Sequence, residues 1–169
     1  KNNCYFKNFN EFYKIFIHST SSNWFNRNRY DDYFDEMFFY SELKKKNYPI
    51  CNGTFSAICD HEIIIDLYSF KKNKKNMILF LTTNNHYPSK LLNQNDFVDC
   101  KKIHPLSLNN QMCIMFKNQI LFNKNLVNFL KKIKKNDFVI FFPDTPPIFP
   151  KREMIHFKDK LDVFTFQKI

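Results

Sequence analysis

Met77-Ile78-Leu79-Phe80-Leu81-Thr82 is an almost continuous apolar run of strand length, the pattern of a strand covered on both faces. Polar Asn84-Asn85-His86 follows it directly. A second such run, Phe138 to Phe142, is cut off by Pro143, Pro146 and Pro147, which cannot continue a central strand. Upstream, Tyr13 to Ile17 reads as a short strand ending at His18, and the polar stretch Ser19 to Asn23 as loop. Helical patterns separate these runs. From Asp60 to about Lys72, Ile63, Ile64, Leu67 and Phe70 recur at helical spacing, with Asp60 placed to cap the first turn. Leu108 to Ile133 carries a longer version of the pattern, Ser41 to Lys46 forms a helical turn closed by Pro49, and Asp162 to Phe166 supplies a further strand. The alternation predicts an α/β fold, a mostly parallel sheet flanked by helices. Ligands of such sheets bind beyond the carboxyl ends of the strands. That edge receives His18, His86 and Asp144.

The chain has 169 residues, 44% of them hydrophobic and 18% aromatic, enough apolar surface for a single soluble domain over residues 1–169 and too much for a disordered chain. No apolar run reaches the roughly 20 residues of a membrane span, and no leader pattern opens the sequence. A first residue of Lys1 points to processing or a fragment. One glycine stands where average composition gives about 7%, while Asn, Lys, Phe, Ile and Tyr are in excess. Drift in an A/T-rich genome accounts for that set. It also accounts for the net charge of +10, because lysines gained by drift scatter over solvated faces, whereas a nucleic-acid footprint gathers them on one. The lysine runs 44–46, 71–75 and 131–135 fall at element ends, where cations complement a helix C-terminus.

Cys51 and Cys59 enclose a short loop, and Cys100 and Cys113 bracket a polar stretch. Each pair either closes a local disulfide or remains as buried thiols, with Cys4 left over. No CxxC spacing is present, so a structural zinc site is not expected.

Five passages in fixed order carry a resemblance. Ile78-Leu79-Phe80-Leu81-Thr82-Thr83-Asn84-Asn85-His86-Tyr87-Pro88 is a strand ending in Thr, polar residues, His and Pro; Val139-Ile140-Phe141-Phe142-Pro143-Asp144-Thr145-Pro146-Pro147 is a strand followed by an Asp and a Pro-Pro turn. His18 through Trp24-Phe25-Asn26-Arg27, Cys51-Asn52-Gly53-Thr54-Phe55 to Cys59-Asp60, and the Cys100/Cys113 pair complete the set. Over about residues 15–169 the sequence resembles the C-terminal half of the membrane-associated sulfatase-like domain of the alkaline phosphatase superfamily, the group that holds phosphoethanolamine and phosphoglycerol transferases of bacterial envelopes. The resemblance implies part of the alkaline phosphatase/sulfatase fold. It also favours disulfides Cys51–Cys59 and Cys100–Cys113, because such domains face the periplasm or cell exterior, here tethered to the inner membrane through a segment absent from this chain.

By the same resemblance the substrate is an anionic phosphate or sulfate ester, lipid- or glycan-linked, and the cofactor a divalent metal, zinc or manganese. Asp144 takes the metal-ligand position, His86 contacts the phosphate or protonates the leaving group, His18 is the second catalytic histidine, and Arg27 binds anionic oxygen. Three departures stand against activity. Thr145 replaces the His expected as second metal ligand, Pro143 replaces the Gly before Asp144, and Ser19 replaces the Gly after His18. The nucleophile lies in the half of the domain not represented, so this chain alone is expected to be inactive. Two rival readings are a non-catalytic binding or scaffold module of the same fold and a basic nucleic-acid-associated protein, the latter resting on charge and aromatic content alone. Each candidate also has a structural alternative: His18 and His86 as hydrogen-bonded histidines, and Asp144 as a turn residue.

Overall fold

The structure is a computed structural model that describes residues 8–52, 55–84, 86, 89–92, 98–102, 110–141 and 164–167. The chain divides into two compact units, Lys1–Phe129 and Leu130–Ile169.

The first unit is built on a three-stranded sheet. Strand β1 (Tyr13–His18) lies between β2 (Glu36–Phe38) and β5 (Asn76–Leu81), parallel to both. Ile15 pairs with Glu36 on one side and with Ile78 on the other, and His18 with Leu81. β-Branched and aromatic residues in β1 suit a pleated strand with neighbours on both sides, and Ile15, Phe16 and Ile17 are fully or almost fully buried. The long connection a parallel pair requires is supplied by two short 3-10 turns over Trp24–Tyr33. All three strands run the same way, so the loops after His18, Phe38 and Leu81 leave from one edge.

Helix α1 (Tyr40–Lys45) starts with the Glu42 carboxylate accepting the Phe39 amide at 3.1 Å, and ends on Lys44 and Lys45. Its end is a full Schellman arrangement: Asn47 N–H donates to Lys44 O and Tyr48 N–H to Leu43 O, with Asn47 at φ 63°. A hairpin of β3 (Ile50–Asn52) and β4 (Ser56–Ile58) follows, antiparallel, with Cys51 opposite Ala57. Helix α2 (Asp60–Ile65) comes next, and the expected three-turn helix is broken after Ile65 by a 3-10 turn, Leu67–Phe70. Leu67 and Phe70 still point into the core, so the periodic apolar positions are buried by a change of helix type rather than by one continuous helix.

Helix α3 (Asn110–Leu130) covers most of the expected 108–133 span. A disulfide from Cys100 to Cys113 holds its first turns, and Asn118, 3% exposed, receives the Leu92 amide at 3.1 Å while donating to Ser89 Oγ and Lys90 O. Asn125 donates to His61 O, and Phe129 packs on Tyr68. The lysines are used locally. Lys72 pairs with Glu36 and Lys75 with Glu11, while Lys46 lies over Phe38 and Phe70 and Lys74 over Tyr13.

Two strand expectations change. Strand β5 is half-exposed along its length, because among the described residues β1 is its one partner. In the second unit, β6 (Phe138–Phe141) is antiparallel to β7 (Phe164–Gln167). Phe138 is 58% and Ile140 48% exposed, so the apolar run is not a buried strand of the parallel sheet. A two-stranded ribbon offers these side chains no second layer among the described residues. No described helix is long and apolar enough to cross a membrane.

Candidate functional site

The carboxyl edge of the parallel sheet brings together His18, Trp24, Arg27, Phe55 and His86. His18 ends β1 and is fully buried. Its Nδ1 lies 3.1 Å from Leu81 O on the neighbouring strand. A carbonyl only accepts, so Nδ1 carries the ring proton and Nε2 presents a lone pair. Arg27 Nη1 lies 2.9 Å from that nitrogen, against the face of the ring rather than in line with the lone pair. The same Nη1 stands 3.2 Å from Nδ1, whose proton is already directed at Leu81. Burial, and then the Arg27 charge, pull the His18 pKa down to about 4 against the opposing Leu81 carbonyl, so the imidazole is neutral near pH 7.

Arg27 reaches back to His18 because the backbone turns sharply just before it. Phe25 and Asn26 both occupy the left-handed region, at φ 54° and 53°. Asn tolerates it, but Phe does not do so freely, and such a residue costs on the order of 1–2 kcal/mol. The turn also lays the guanidinium against Trp24 and Phe25, at 6.0 and 5.5 Å from their ring centroids. Phe25 itself is 66% exposed.

Trp24 is the hub of the aromatic wall. Its ring stacks on His18 at 5.8 Å and 11°, meets Phe55 of the hairpin at 4.6 Å, and lies 5.5 Å from the His86 ring. His86 is exposed and stands perpendicular to Phe55 at 5.1 Å, its amide donating to Thr83 O. The hairpin that supplies Phe55 is tied by the Cys51–Cys59 disulfide and anchored by Ile58 N–H to Ser19 O.

Of the residues singled out in the sequence, His18, Arg27 and His86 therefore meet through Trp24. The four cysteines Cys51, Cys59, Cys100 and Cys113 form the two bridges that the resemblance favours. Asp144 and Thr145 lie outside the described residues, as do Cys4, His104 and His156. Trp24 and Phe55 were visible only as members of the resembling passages, and nothing in composition distinguished them from core aromatics. Asp60 differs from expectation. It does not cap α2, whose N-cap residue is Cys59 with no side-chain cap bond; its Oδ2 instead accepts the amides of Thr83 and Asn84 at 2.7 and 2.6 Å.

Among the described residues, no donor set for a zinc or manganese centre of the implied kind is assembled. Among the described residues, Cys51, Cys59 and His61 are the one group of three with metal-ligand atoms close together, and its two sulfurs are bonded to each other. His18 Nδ1 is bonded to Leu81 O, and Arg27 lies against Nε2. In the sequence, Asp144 is followed by the neutral hydroxyl of Thr145, a far poorer zinc donor than imidazole.

No protein-family model matches the sequence, and no curated protein does. Solved structures that share the fold include the following three. The Streptococcus pyogenes phosphoglycerol transferase GacH, in complex with sn-glycerol-1-phosphate, is similar over 92% of this chain and 43% of its own, with TM-score 0.66 and 20% identity. The lipoteichoic acid synthase LtaP from Listeria monocytogenes matches over 88% and 38%, with TM-score 0.59 and 18% identity. A protein in the alkaline phosphatase superfamily from Vibrio parahaemolyticus matches over 77% and 32%, with TM-score 0.53 and 15% identity. The fold is thus α/β of the alkaline phosphatase-like kind, with a parallel sheet flanked by helices. The chain spans 43% or less of the length of these neighbours.

Proposed function

We propose that this chain is the substrate-binding part of a sulfatase-like phosphotransferase, and that its carboxyl-edge cluster holds the phosphate or sulfate group of an ester such as phosphoglycerol or phosphoethanolamine. The observation that carries this reading is the Arg27–His18 pair. A buried neutral imidazole fixes a guanidinium beside an aromatic wall, at the edge where α/β sheets bind ligands. A guanidinium matches two oxygens of a tetrahedral anion in one plane. In this reading Arg27 takes the non-bridging oxygens, His86 stands toward the leaving oxygen and hands it a proton, and His18 serves as the support that orients Arg27. Trp24 and Phe55 exclude water from one side. The nucleophile belongs to a part of the domain outside these residues, so the chain alone binds and does not turn over. No step is assigned to a metal.

The two disulfides support an extracytoplasmic location, since such bridges persist in oxidising compartments, and the neighbours' names support a phosphoglycerol or lipid-linked phosphate ester. The second reading, a binding module without catalysis, is favoured by one observation, the hydroxyl of Thr145 where a metal-binding imidazole is expected.

Calorimetric titration of the oxidised chain with sn-glycerol 1-phosphate tests the proposal, with glycerol as control. Saturable binding of the ester alone is expected, weakened roughly 10- to 100-fold by Arg27→Ala, as loss of a charge-assisted bidentate contact predicts. Equal affinity of wild type and Arg27→Ala rules the site out. Catalysis is tested separately: a longer protein with the upstream half that takes up no phosphate group leaves the binding-module reading in place.

A further inference from the structure

We infer that Asp60 is the positioning residue of this site, its buried carboxylate fixing the turn that carries His86 against the aromatic wall. The inference rests on the proposed reading of Arg27 and His86 as a phosphate-ester site, and adds the group that sets their geometry.

Asp60 stands where three loops of the carboxyl edge meet. Its Oδ2 accepts two consecutive amides, Thr83 and Asn84, from the loop after β5. The Asn84 side chain returns the contact, Oδ1 accepting the Asp60 amide at 2.6 Å and Nδ2 donating to Ile58 O at 3.3 Å. The Thr83 hydroxyl bonds the hydroxyl of Ser19, the residue after His18, and Thr83 O accepts the His86 amide. One carboxylate therefore ties the His86 loop to the hairpin base and, through Thr83, to the loop after β1. All of Ser19, Asp60, Thr83 and Asn84 are buried.

Stability alone does not account for a carboxylate here. Burying an ionised carboxylate costs several kcal/mol unless its oxygens are fully hydrogen-bonded. Asp60 is 2% exposed, and among the described residues its Oδ1 has no hydrogen-bond partner within normal distance. The Asp60 pKa is pushed up to about 6 by that burial, against the pull of the Asn84 and Thr83 amides and the Ser19 hydroxyl. What a carboxylate adds is two short charge-assisted bonds to adjacent amides, which hold a turn in one conformation more stiffly than neutral acceptors do. The turn it stiffens is the one three residues before the exposed His86.

The test uses the full oxidised chain in four forms: wild type, Asp60→Ala, Asp60→Asn, and Phe70→Leu as a core variant remote from these bonds. Two readouts are taken, the nuclear Overhauser contact between the Trp24 and His86 rings and the affinity for sn-glycerol 1-phosphate and for inorganic phosphate. Asp60→Ala is expected to lose the ring contact and to weaken both anions by about tenfold or more, the scale of lost hydrogen bonds to a charged group. Asp60→Asn keeps an oxygen that accepts the same amides but loses the charge, and is expected to fall between Asp60→Ala and wild type in both readouts; an Asp60→Asn as weak as Asp60→Ala overturns the role given to those two bonds. Phe70→Leu lowers the melting temperature and leaves the contact intact. A folded Asp60→Ala with wild-type ring contact overturns the inference, and so does an equal loss of contact in Phe70→Leu. If Asp60→Ala does not fold, Asp60→Glu decides, because moving the carboxylate by one methylene must displace His86; an unchanged ring contact there also overturns it. Wild type that binds neither anion removes the proposed function, while the ring contact still reads the positioning role.

Discussion

Arg27 Nη1 lies 2.9 Å from Nε2 of His18, a histidine whose other nitrogen is spent on Leu81 O of the adjacent strand. The guanidinium is thereby tied to the sheet through one imidazole, and the tie holds only while that imidazole is neutral. Protonation would put a second positive charge directly against the guanidinium. A phosphate ester is therefore expected to bind well at pH 7 and weakly below about pH 4, where His18 charges. Affinity measured with a sulfate ester, which stays anionic across this range, checks it; unchanged affinity from pH 7 to pH 3.5 refutes it.

Stability carries a second pH signature, in which two buried groups oppose each other. His18 has a folded pKa of about 4, below its unfolded 6.5. The unfolded chain then binds the proton more readily, so this contribution is complete above pH 6.5 and is lost as pH falls toward 4. Asp60 has a folded pKa of about 6, above its unfolded 3.8. The folded chain binds that proton more readily, so stability is lost as pH rises from 3.8 through 6. Each term spans about 3 kcal/mol, and between pH 4 and 6 they nearly offset. Asp60→Asn removes one of them. Urea unfolding is expected to show the variant gaining about 2 kcal/mol on wild type between pH 4 and pH 7, a difference in which the other carboxylates cancel. A constant difference between the two proteins would show that Asp60 is ionised at both pH values.

Asn47 closes α1 in the left-handed region, at φ 63°, with both Schellman bonds made. Glycine adopts that conformation without the Cβ clash. Asn47→Gly is expected to raise stability by about 0.5–1 kcal/mol, read as a small rise in melting temperature. A fall would mean that the Asn side chain contributes more than its backbone strain costs.

The sheet was legible because its strands are written in local pattern. Tyr13–Ile17 and Met77–Thr82 are short apolar runs bounded by polar residues, and both became strands at nearly the expected bounds. Their parallel pairing followed from the helical patterns between them. Strand β2 carried no such pattern: Glu36, Met37 and Phe38 form a strand because they meet Ile15, Phe16 and Ile17, a tertiary cause that no window of three residues shows. The helix at 60–72 was read from correct burial periodicity, yet spacing cannot tell an α turn from the 3-10 turn at Leu67–Phe70. In the site, His18 and His86 were legible as chemistry-bearing residues beyond strand ends, and Arg27 only through the passage that carries the resemblance. The left-handed turn at Phe25–Asn26 that aims Arg27 was not, since neither residue is the glycine that announces such a turn.

Asn118 is a buried amide on α3 that bonds Leu92 N, Ser89 Oγ and Lys90 O. Asn118→Ala leaves those partners unbonded, and each buried group left so costs on the order of 1–3 kcal/mol. The segment 89–92 should then detach locally before the sheet does. Hydrogen exchange at the Leu92 amide is expected to quicken at least tenfold relative to amides of β1. Equal slowing or quickening of both would mean the amide contributes to global stability alone.

The two disulfides should separate by their effect on the one tryptophan. Cys51–Cys59 spans the hairpin and fixes Phe55, which packs on Trp24 at 4.6 Å, whereas Cys100–Cys113 fixes the first turns of α3. Each closes a short loop and is expected to contribute roughly 2–4 kcal/mol. Trp24 is the chain's single tryptophan, so its fluorescence reports the site without ambiguity. Replacing Cys51 and Cys59 together by Ser frees the Phe55 wall, and the emission should shift to the red as water reaches the indole. Replacing Cys100 and Cys113 should lower the melting temperature by a similar amount and leave the emission where it is. If both double variants shift the spectrum equally, the hairpin bridge has no privileged link to the site, and the wall formed by Trp24, Phe55 and His86 depends on the stability of the whole unit.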